Sequence, residues 1–180
     1  MCLSNATIEY CDTPMRCYKL LLDNGRSIVS PYQMGYVWDL REEMHYALGD
    51  EEVVCENEEF IGRDFLLKDE VDCRYYIKPR YCVSSGFIHS CSRPSFAAEN
   101  AIYFFDETFS GRFTPLVVEF EIPEGDFFFI EGNGREMASK RLKFIRVLSP
   151  EEVVNDGDFG LLSSFNVKII KEIFTNNPEG

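Results

Sequence analysis

The chain has 180 residues, of which 45% are hydrophobic and 14% aromatic, and its formal net charge is −13. This length suits one domain, and the apolar content excludes disorder over most of the chain because enough surface can be buried to offset chain entropy. The excess of acid excludes nucleic-acid binding through phosphate neutralisation and predicts repulsion from anionic membranes.

The first forty residues predict a strand-rich start. Residues 7–10 have the pattern of a short edge strand, and residues 36–40 suit either a strand or the beginning of a helix. The turn signal Asp23-Asn24-Gly25-Arg26 separates a buried strand predicted at 17–22 from a returning strand at 27–30. Two apolar runs around such a turn are typical of a β-hairpin.

A helix is predicted from Asp39 to Leu48. Asp39 suits the N-cap, Glu42 follows three residues later, and apolar residues then recur at helical spacing. Gly49 is a natural stop for this helix. His45 lies in this segment beside aromatic neighbours and is interpreted as structural or surface-exposed.

Acidic residues are concentrated in one segment. Twelve of them lie between Glu42 and Asp72, where only Arg63 and Lys68 oppose them. Residues 50–72 are predicted to be mostly surface loop. We expect an acidic accessory or inhibitor-type protein, whose carboxylates speed association with a basic protein surface and whose binding weakens at high salt. The candidate partner-binding residues are Glu51, Glu52, Glu56, Glu58 and Glu59.

Two further roles for this acidity stay open. The charge can simply keep the domain soluble and monomeric. The carboxylates can also mimic nucleic acid, which requires them to stand at phosphate-like spacing on an ordered surface.

The most informative stretch runs from Gly86 to Pro94. It places His89 between an apolar strand and a helix start, and Pro94 suits the first turn of that helix, predicted over 94–105. Junctions of this kind often carry chemistry, because a rigid scaffold presents them. Cys91 shares a strand face with His89, so a thiolate–imidazole contact is geometrically possible, although the sequence marks no orienting group.

The remaining elements are mostly strands. They are predicted at 116–122, 127–130 and 142–148, followed by a short helix start at 149–152 and an amphipathic helix at 165–174. Because helices do not alternate with strands, the pattern predicts an α+β fold with a mainly antiparallel, bent or split sheet and two to three short helices. We expect a single domain over 1–180, with a core at 16–148 and a C-terminal extension at 149–180.

The seven cysteines indicate a reducing environment. Their number is odd, no C-x-x-C motif occurs, and no secretory segment opens the chain. We therefore expect a cytoplasmic protein with free buried thiols, no metal site and no membrane span.

Taken together, the motifs of the chain resemble a layout of short uncharacterised bacterial and phage domains. The resemblance covers residues 16–148, and the order is also distantly similar to the split-sheet core of ADP-ribosyltransferases. The motifs are Gly-Phe-Ile-His at 86–89, a helix, Pro-Glu-Gly at 123–125, Glu-Met-Ala-Ser at 136–139 and a basic strand at 142–147.

The similarity to ADP-ribosyltransferases implies an alternative function, an NAD- or nucleotide-binding domain, active or decayed. In that family, residues on three strands hold the nicotinamide ribose, and a carboxylate stabilises positive charge at the ribose carbon. The resemblance implies catalytic roles for His89 and Glu136 and cofactor-binding roles for Tyr18, or Arg16, and Ser90. The chain departs from the family pattern in lacking Arg or His inside the first predicted strand and an acid-x-acid pair at Glu136.

Overall fold

The computed structural model describes residues 3–57, 79–104 and 112–175. Its strands, numbered in chain order, are β1 Leu3–Tyr10, β2 Met15–Asp23, β3 Ile28–Ser30, β4 Gln33–Trp38, β5 Met44–Tyr46, β6 Glu52–Cys55, β7 Tyr81–Ser85, β8 Ile88–Cys91, β9 Thr114–Ile122, β10 Phe127–Glu131, β11 Glu136–Ser139 and β12 Arg141–Val147. Its α-helices are α1 Pro94–Glu99, α2 Pro150–Val154 and α3 Ser164–Thr175, and two 3-10 turns span Asn100–Tyr103 and Gly157–Leu161.

The described strands form one curled sheet. Its order is β5-β12-β9-β2-β8-β11-β10-β1-β7-β6, with β3 pairing with β2 and β4 beside this path. The pairings between described strands are antiparallel. The predicted α+β class with a bent, mainly antiparallel sheet and short helices is therefore confirmed.

The sheet opens between β2 and β8. β2 pairs with β9 along its whole length, from Met15 to Asp23, but with β8 only through Tyr18 and Cys91. Where two neighbouring strands diverge, their main-chain groups need other partners, and side chains can enter the gap. This opening is where the candidate site lies.

The core occupies both faces of β2. Leu20 and Leu22 pack with α1 and the C-terminal helices in a helix-side cluster, whereas Cys17 and Leu21 pack with Trp38 in an aromatic cluster on the other face. A strand buried on both faces must be apolar throughout, which is why 17–22 is a nearly continuous hydrophobic run. The C-terminal extension contributes to the helix-side cluster through Val153, Phe159, Ile170 and Phe174.

The hairpin and three of the helices that short sequence patterns predicted are confirmed. The hairpin forms with Leu22 opposite Val29. Helix α1 begins at Pro94, the amphipathic terminal helix is α3, and Ser149 caps α2 in a capping box with Glu152. Within the described ranges, none of these helices has the length and hydropathy needed to cross a bilayer.

The predicted helix at Asp39–Leu48 is wrong. The segment instead forms a turn, in which the Arg41 N–H donates to Asp39 Oδ1, followed by strand β5, which pairs with β12. The His45 ring is buried with its centroid 4.8 Å from that of Trp38. Pairing with a strand about a hundred residues away, together with aromatic packing, overrides the local helical spacing.

Two smaller predictions are also corrected. Residues 7–10 belong to the longer strand β1, which lies between β10 and β7 and is not an edge strand. Residues 52–55 of the predicted loop form strand β6, which pairs with β7. The rest of that predicted loop, from residue 58 onward, lies outside the described residues.

Candidate ligand-binding site

Three sequence-distant residues stand in one row across the opening of the sheet. Cys91 on β8 lies opposite Tyr18 on β2 and, on its other side, opposite Glu136 on β11. Residues directly opposite one another in paired strands present their side chains to the same face. The fold therefore brings Tyr18 and Glu136, both candidate site residues, to either side of one buried thiol.

A cavity of about 450 Å³ opens beside this row. Cys91 and Glu136 line it, together with Tyr32 from the β3–β4 turn, the α1 region and the β10–β11 loop. This volume lies within the range of small-molecule binding sites. The cavity is therefore large enough to admit a small molecule.

Aromatic and amide side chains form part of the cavity wall. The rings of Tyr32, Phe96 and Tyr103 line it. Asn100 stands between Tyr32 and Cys91, since its Oδ1 accepts from the Tyr32 hydroxyl at 3.3 Å and its Nδ2 donates to Cys91 Sγ at 3.6 Å. Rings next to an oriented amide suit a planar ring that also makes hydrogen bonds.

The cavity carries an excess of negative charge. Its described lining includes Glu99, Glu131 and Glu136 against a single cation, Arg135. Arg135 already forms an ion pair with Glu99, and its guanidinium lies 4.3 Å from the Phe96 ring centroid. Burial and the neighbouring Glu131 raise the pKa of Glu136. The arrangement favours a ligand group that is cationic or rich in hydroxyls.

Hydrogen bonds hold the cavity walls together. Ser92 binds the β10–β11 loop twice, with its N–H donating to Arg135 O at 2.9 Å and its hydroxyl to Gly134 O at 2.6 Å. On the other wall, Asn166 of α3 donates to Glu99 Oε1 at 2.7 Å. The walls are thus fixed by both the residues after β8 and the C-terminal extension.

His89 and Ser90 lie at a shallow extension of the same region. A pocket of about 10 Å³, room for roughly one water molecule, is lined by both residues and by Tyr18, and it shares Cys91 and Asn100 with the large cavity. Of the four candidate site residues from the ADP-ribosyltransferase resemblance, Glu136 therefore lines the large cavity, and the other three line its shallow extension.

The His89 ring is a neutral hydrogen-bonding group. It is 9% exposed, and neither ring nitrogen makes a hydrogen bond of normal geometry to a described residue, although the Ser84 main chain lies close by. Burial, reinforced by the Lys19 charge, lowers the pKa of His89 from 6.5 to about 4. Neutral imidazole offers one donor and one acceptor, and both are left for another group.

Lys19 is a site residue that the sequence reasoning missed. It is 7% exposed, and its Nζ donates to the His89 carbonyl at 2.7 Å, across the gap between β2 and β8. Burial lowers the pKa of Lys19 from 10.5 to about 8. In the described part of the chain, no carboxylate lies within ion-pair distance of it. The signal available in the sequence was a single lysine within the apolar run 17–22.

The thiol of Cys91 is not prepared for nucleophilic attack. Burial, and then the nearby Glu136, raise the pKa of Cys91 to about 12, so the thiol stays protonated at neutral pH. A reactive cysteine needs a lowered pKa and access to solvent. The thiolate–imidazole pair considered from the sequence is therefore not supported, and Cys91 serves as a wall residue.

The cavity walls contain further residues that the sequence did not indicate. Tyr32, Asn100 and Arg135 come from three separate parts of the chain and meet only in the folded sheet. Arg16, the alternative first-strand residue, does not line the described cavities and forms an ion pair with Glu119 at 2.6 Å.

The predicted partner-binding carboxylates contact their own chain. Glu51 forms an ion pair with Lys140 at 2.5 Å, Glu52 accepts from the Ser85 hydroxyl at 3.3 Å, and Glu56 accepts from a main-chain N–H at 2.7 Å. Glu58 and Glu59 lie outside the described residues. That this group binds a basic protein stays a prediction.

Comparison with protein-family models, curated proteins and solved structures finds no match to this chain. No group of three or more His, Cys, Asp or Glu side chains in the described ranges is arranged to hold a metal ion.

Proposed function

We propose that the large cavity binds the nicotinamide end of NAD or of a related nucleotide, as the motif resemblance to ADP-ribosyltransferases implies. The observation that carries this proposal is the row Tyr18–Cys91–Glu136 beside a cavity of about 450 Å³, with His89 at its extension. In the resembled family, residues on three strands hold the nicotinamide ribose.

The charge of the cavity supports a nicotinamide ligand in its oxidised form. The pyridinium ring of NAD is cationic, and the lining carboxylates outnumber the single arginine, so the nicotinamide end and not the anionic diphosphate would lie in this cavity. Tyr32 and Phe96 offer faces or edges for a planar ring. The ribose hydroxyls match the carboxylate of Glu136, which lines the cavity.

Glu136 would also support transfer chemistry. When the bond from the ribose carbon to nicotinamide breaks, its electron pair leaves with nicotinamide and positive charge develops on the sugar. A nearby carboxylate stabilises that charge and accepts the proton of the attacking hydroxyl.

Calorimetry tests the proposal. NAD is expected to bind the wild-type chain, and Glu136→Gln is expected to weaken binding about tenfold, since it removes a charged hydrogen-bond acceptor. Glu124→Gln is the matched control, because Glu124 is exposed in the β9–β10 turn and is not a lining residue. Absence of NAD and nucleotide binding, or equal loss in both variants, would exclude this function.

A further inference from the structure

A second cavity lies on the aromatic side of the sheet. Its volume is about 240 Å³, and its lining comes from β4, the residues after β5 and the start of β8. It shares none of its lining residues with the ligand cavity. We call it the aromatic socket, defined by Tyr36, Trp38, Tyr46, Leu48 and Phe87.

The socket has a buried floor and an exposed apolar rim. Trp38 and Phe87 are each 3% exposed, whereas Tyr46 is 58% and Leu48 is 68% exposed. Large apolar side chains that project around buried rings are the usual anatomy of a binding hot spot, where tryptophan and tyrosine are enriched.

The floor also holds unused hydrogen-bonding capacity. Trp38 Nε1 is buried and has no hydrogen-bond partner among the described residues, and the same is true of Nε2 of the adjacent His45. Buried polar atoms are normally paired, so two orphans at one place point to a missing group. An incoming chain could supply an acceptor here.

Carboxylates stand next to the socket at two places. Glu42 lies in the turn that follows β4, where its N–H donates to the Asp39 carbonyl at 3.0 Å. Burial, and then this carboxylate, raise the pKa of Tyr36. Asp50 and Glu51 pack their main chain against Gly86, directly before Phe87 of the floor.

Two cations also lie beside the socket: Lys140, whose ammonium is 4.5 Å from the Phe87 ring centroid, and Arg141 beside Tyr46. Each is neutralised by an ion pair, with Glu51 and Asp126 respectively. Glu42 and Asp50 are exposed and form no ion pair with another described residue, so they carry the uncompensated charge.

We propose that the aromatic socket is a docking surface for a protein partner that presents one apolar side chain between basic residues. The apolar side chain enters the socket, and its lysine or arginine neighbours meet Glu42 and Asp50. Charge complementarity of this kind steers association and selects against acidic partners. The net charge of −13 also attracts basic proteins and repels acidic ones at longer distances.

The single tryptophan makes the socket directly observable. Trp38 is the only tryptophan of the chain, so one indole N–H signal in an NMR spectrum reports on the socket floor. The probes are three short peptides: Lys-Lys-Phe-Lys-Lys, the same peptide with alanine at its centre, and Glu-Glu-Phe-Glu-Glu. We expect saturable shifts of the indole signal with the first peptide and much smaller shifts with the other two.

Surface variants distinguish peptide binding in the socket from nonspecific binding elsewhere on the surface. Leu48→Ala is expected to weaken binding of the basic phenylalanine peptide about tenfold. Leu161→Ala is the matched control, since Leu161 is 60% exposed and does not line the socket. The combined change of Glu42→Gln and Asp50→Asn should weaken binding of this peptide and reduce its dependence on salt.

Three results would overturn the proposal. These are no shift of the Trp38 signal at millimolar peptide, equal shifts with the acidic peptide, and equal effects of the two leucine variants. Shifts that depend on protein concentration without any peptide would instead show that a second copy of the chain fills the socket, and would also reject a basic partner.

Discussion

Lys19 shows how a single side chain can close a gap in a sheet. Its ammonium donates to the main-chain carbonyl of His89 where β2 and β8 have parted, and it lies 5.7 Å from the centroid of the Trp38 ring. A carbonyl left unpaired there would lose a hydrogen bond. Burying a lysine with no described carboxylate within ion-pair distance also costs free energy. The lowered pKa of Lys19 expresses this cost.

The lowered pKa of Lys19 predicts a specific pH dependence of stability. Because the folded chain releases this proton at about pH 8 and the unfolded chain near 10.5, the unfolded state binds more protons between these values. The free energy of unfolding of the wild type should therefore rise with pH across this window. Relative to that of Lys19→Met, the rise should be at most about 3 kcal/mol. Urea unfolding at pH 7.5 and pH 10 measures the difference. Parallel pH profiles for the two proteins would contradict it.

At the scale of elements, local patterns were predicted well and long-range ones poorly. The β2–β3 hairpin and helix α3 follow from turn residues and spacing that lie within a dozen residues. The segment 39–48 has helical spacing as well, yet it pairs with β12 and packs on Trp38. Nothing within that segment reveals the distant strand, so its helix prediction failed.

Gly86 shows the same dependence on a distant segment. Its φ is +74°, and a Cβ built on it would lie 2.6 Å from the Asp50 carbonyl oxygen. The main chain before β6 thus packs directly against the turn between β7 and β8, where only glycine fits. The sequence placed a turn near Gly86 but could not show this contact.

A pair of glycine substitutions tests that contact. Gly125 has a φ of +84° with nothing within 4 Å of its built Cβ, so Gly125→Ala should cost only about 1–2 kcal/mol of backbone strain. Gly86→Ala carries the same strain and also forces the Asp50 main chain away, so its loss of stability should exceed that of Gly125→Ala by a few kcal/mol. Equal unfolding midpoints of the two variants would show that the close approach is absent.

At the scale of the whole molecule, the acidity is divided between internal contacts and free surface. The chain has 31 acidic and 18 basic residues, and a buried carboxylate such as Glu119 binds both Arg16 and Arg146. The sequence predicted the charge and a site at His89 and Glu136, because short motifs mark those residues. It could not predict the cavity, since Tyr32, Asn100 and Arg135 meet only through the sheet topology.

The curled sheet separates two different surfaces. The large cavity lies with the helix-side cluster, through Cys91 and Phe96, and the aromatic socket lies with the aromatic cluster, through Trp38 and Ile88. Because the two lie on different faces of the sheet, one can be filled without blocking the other. The two proposals therefore succeed or fail independently.

The most direct test of the central claim compares NAD with NADH by calorimetry on the wild-type chain. The two molecules differ in the charge of the nicotinamide ring, which is cationic in NAD and neutral in NADH. The carboxylate-rich cavity predicts that NAD binds about tenfold more tightly than NADH at moderate salt. Equal affinity for the two, or binding of neither, would contradict the assignment of this cavity to a cationic nicotinamide.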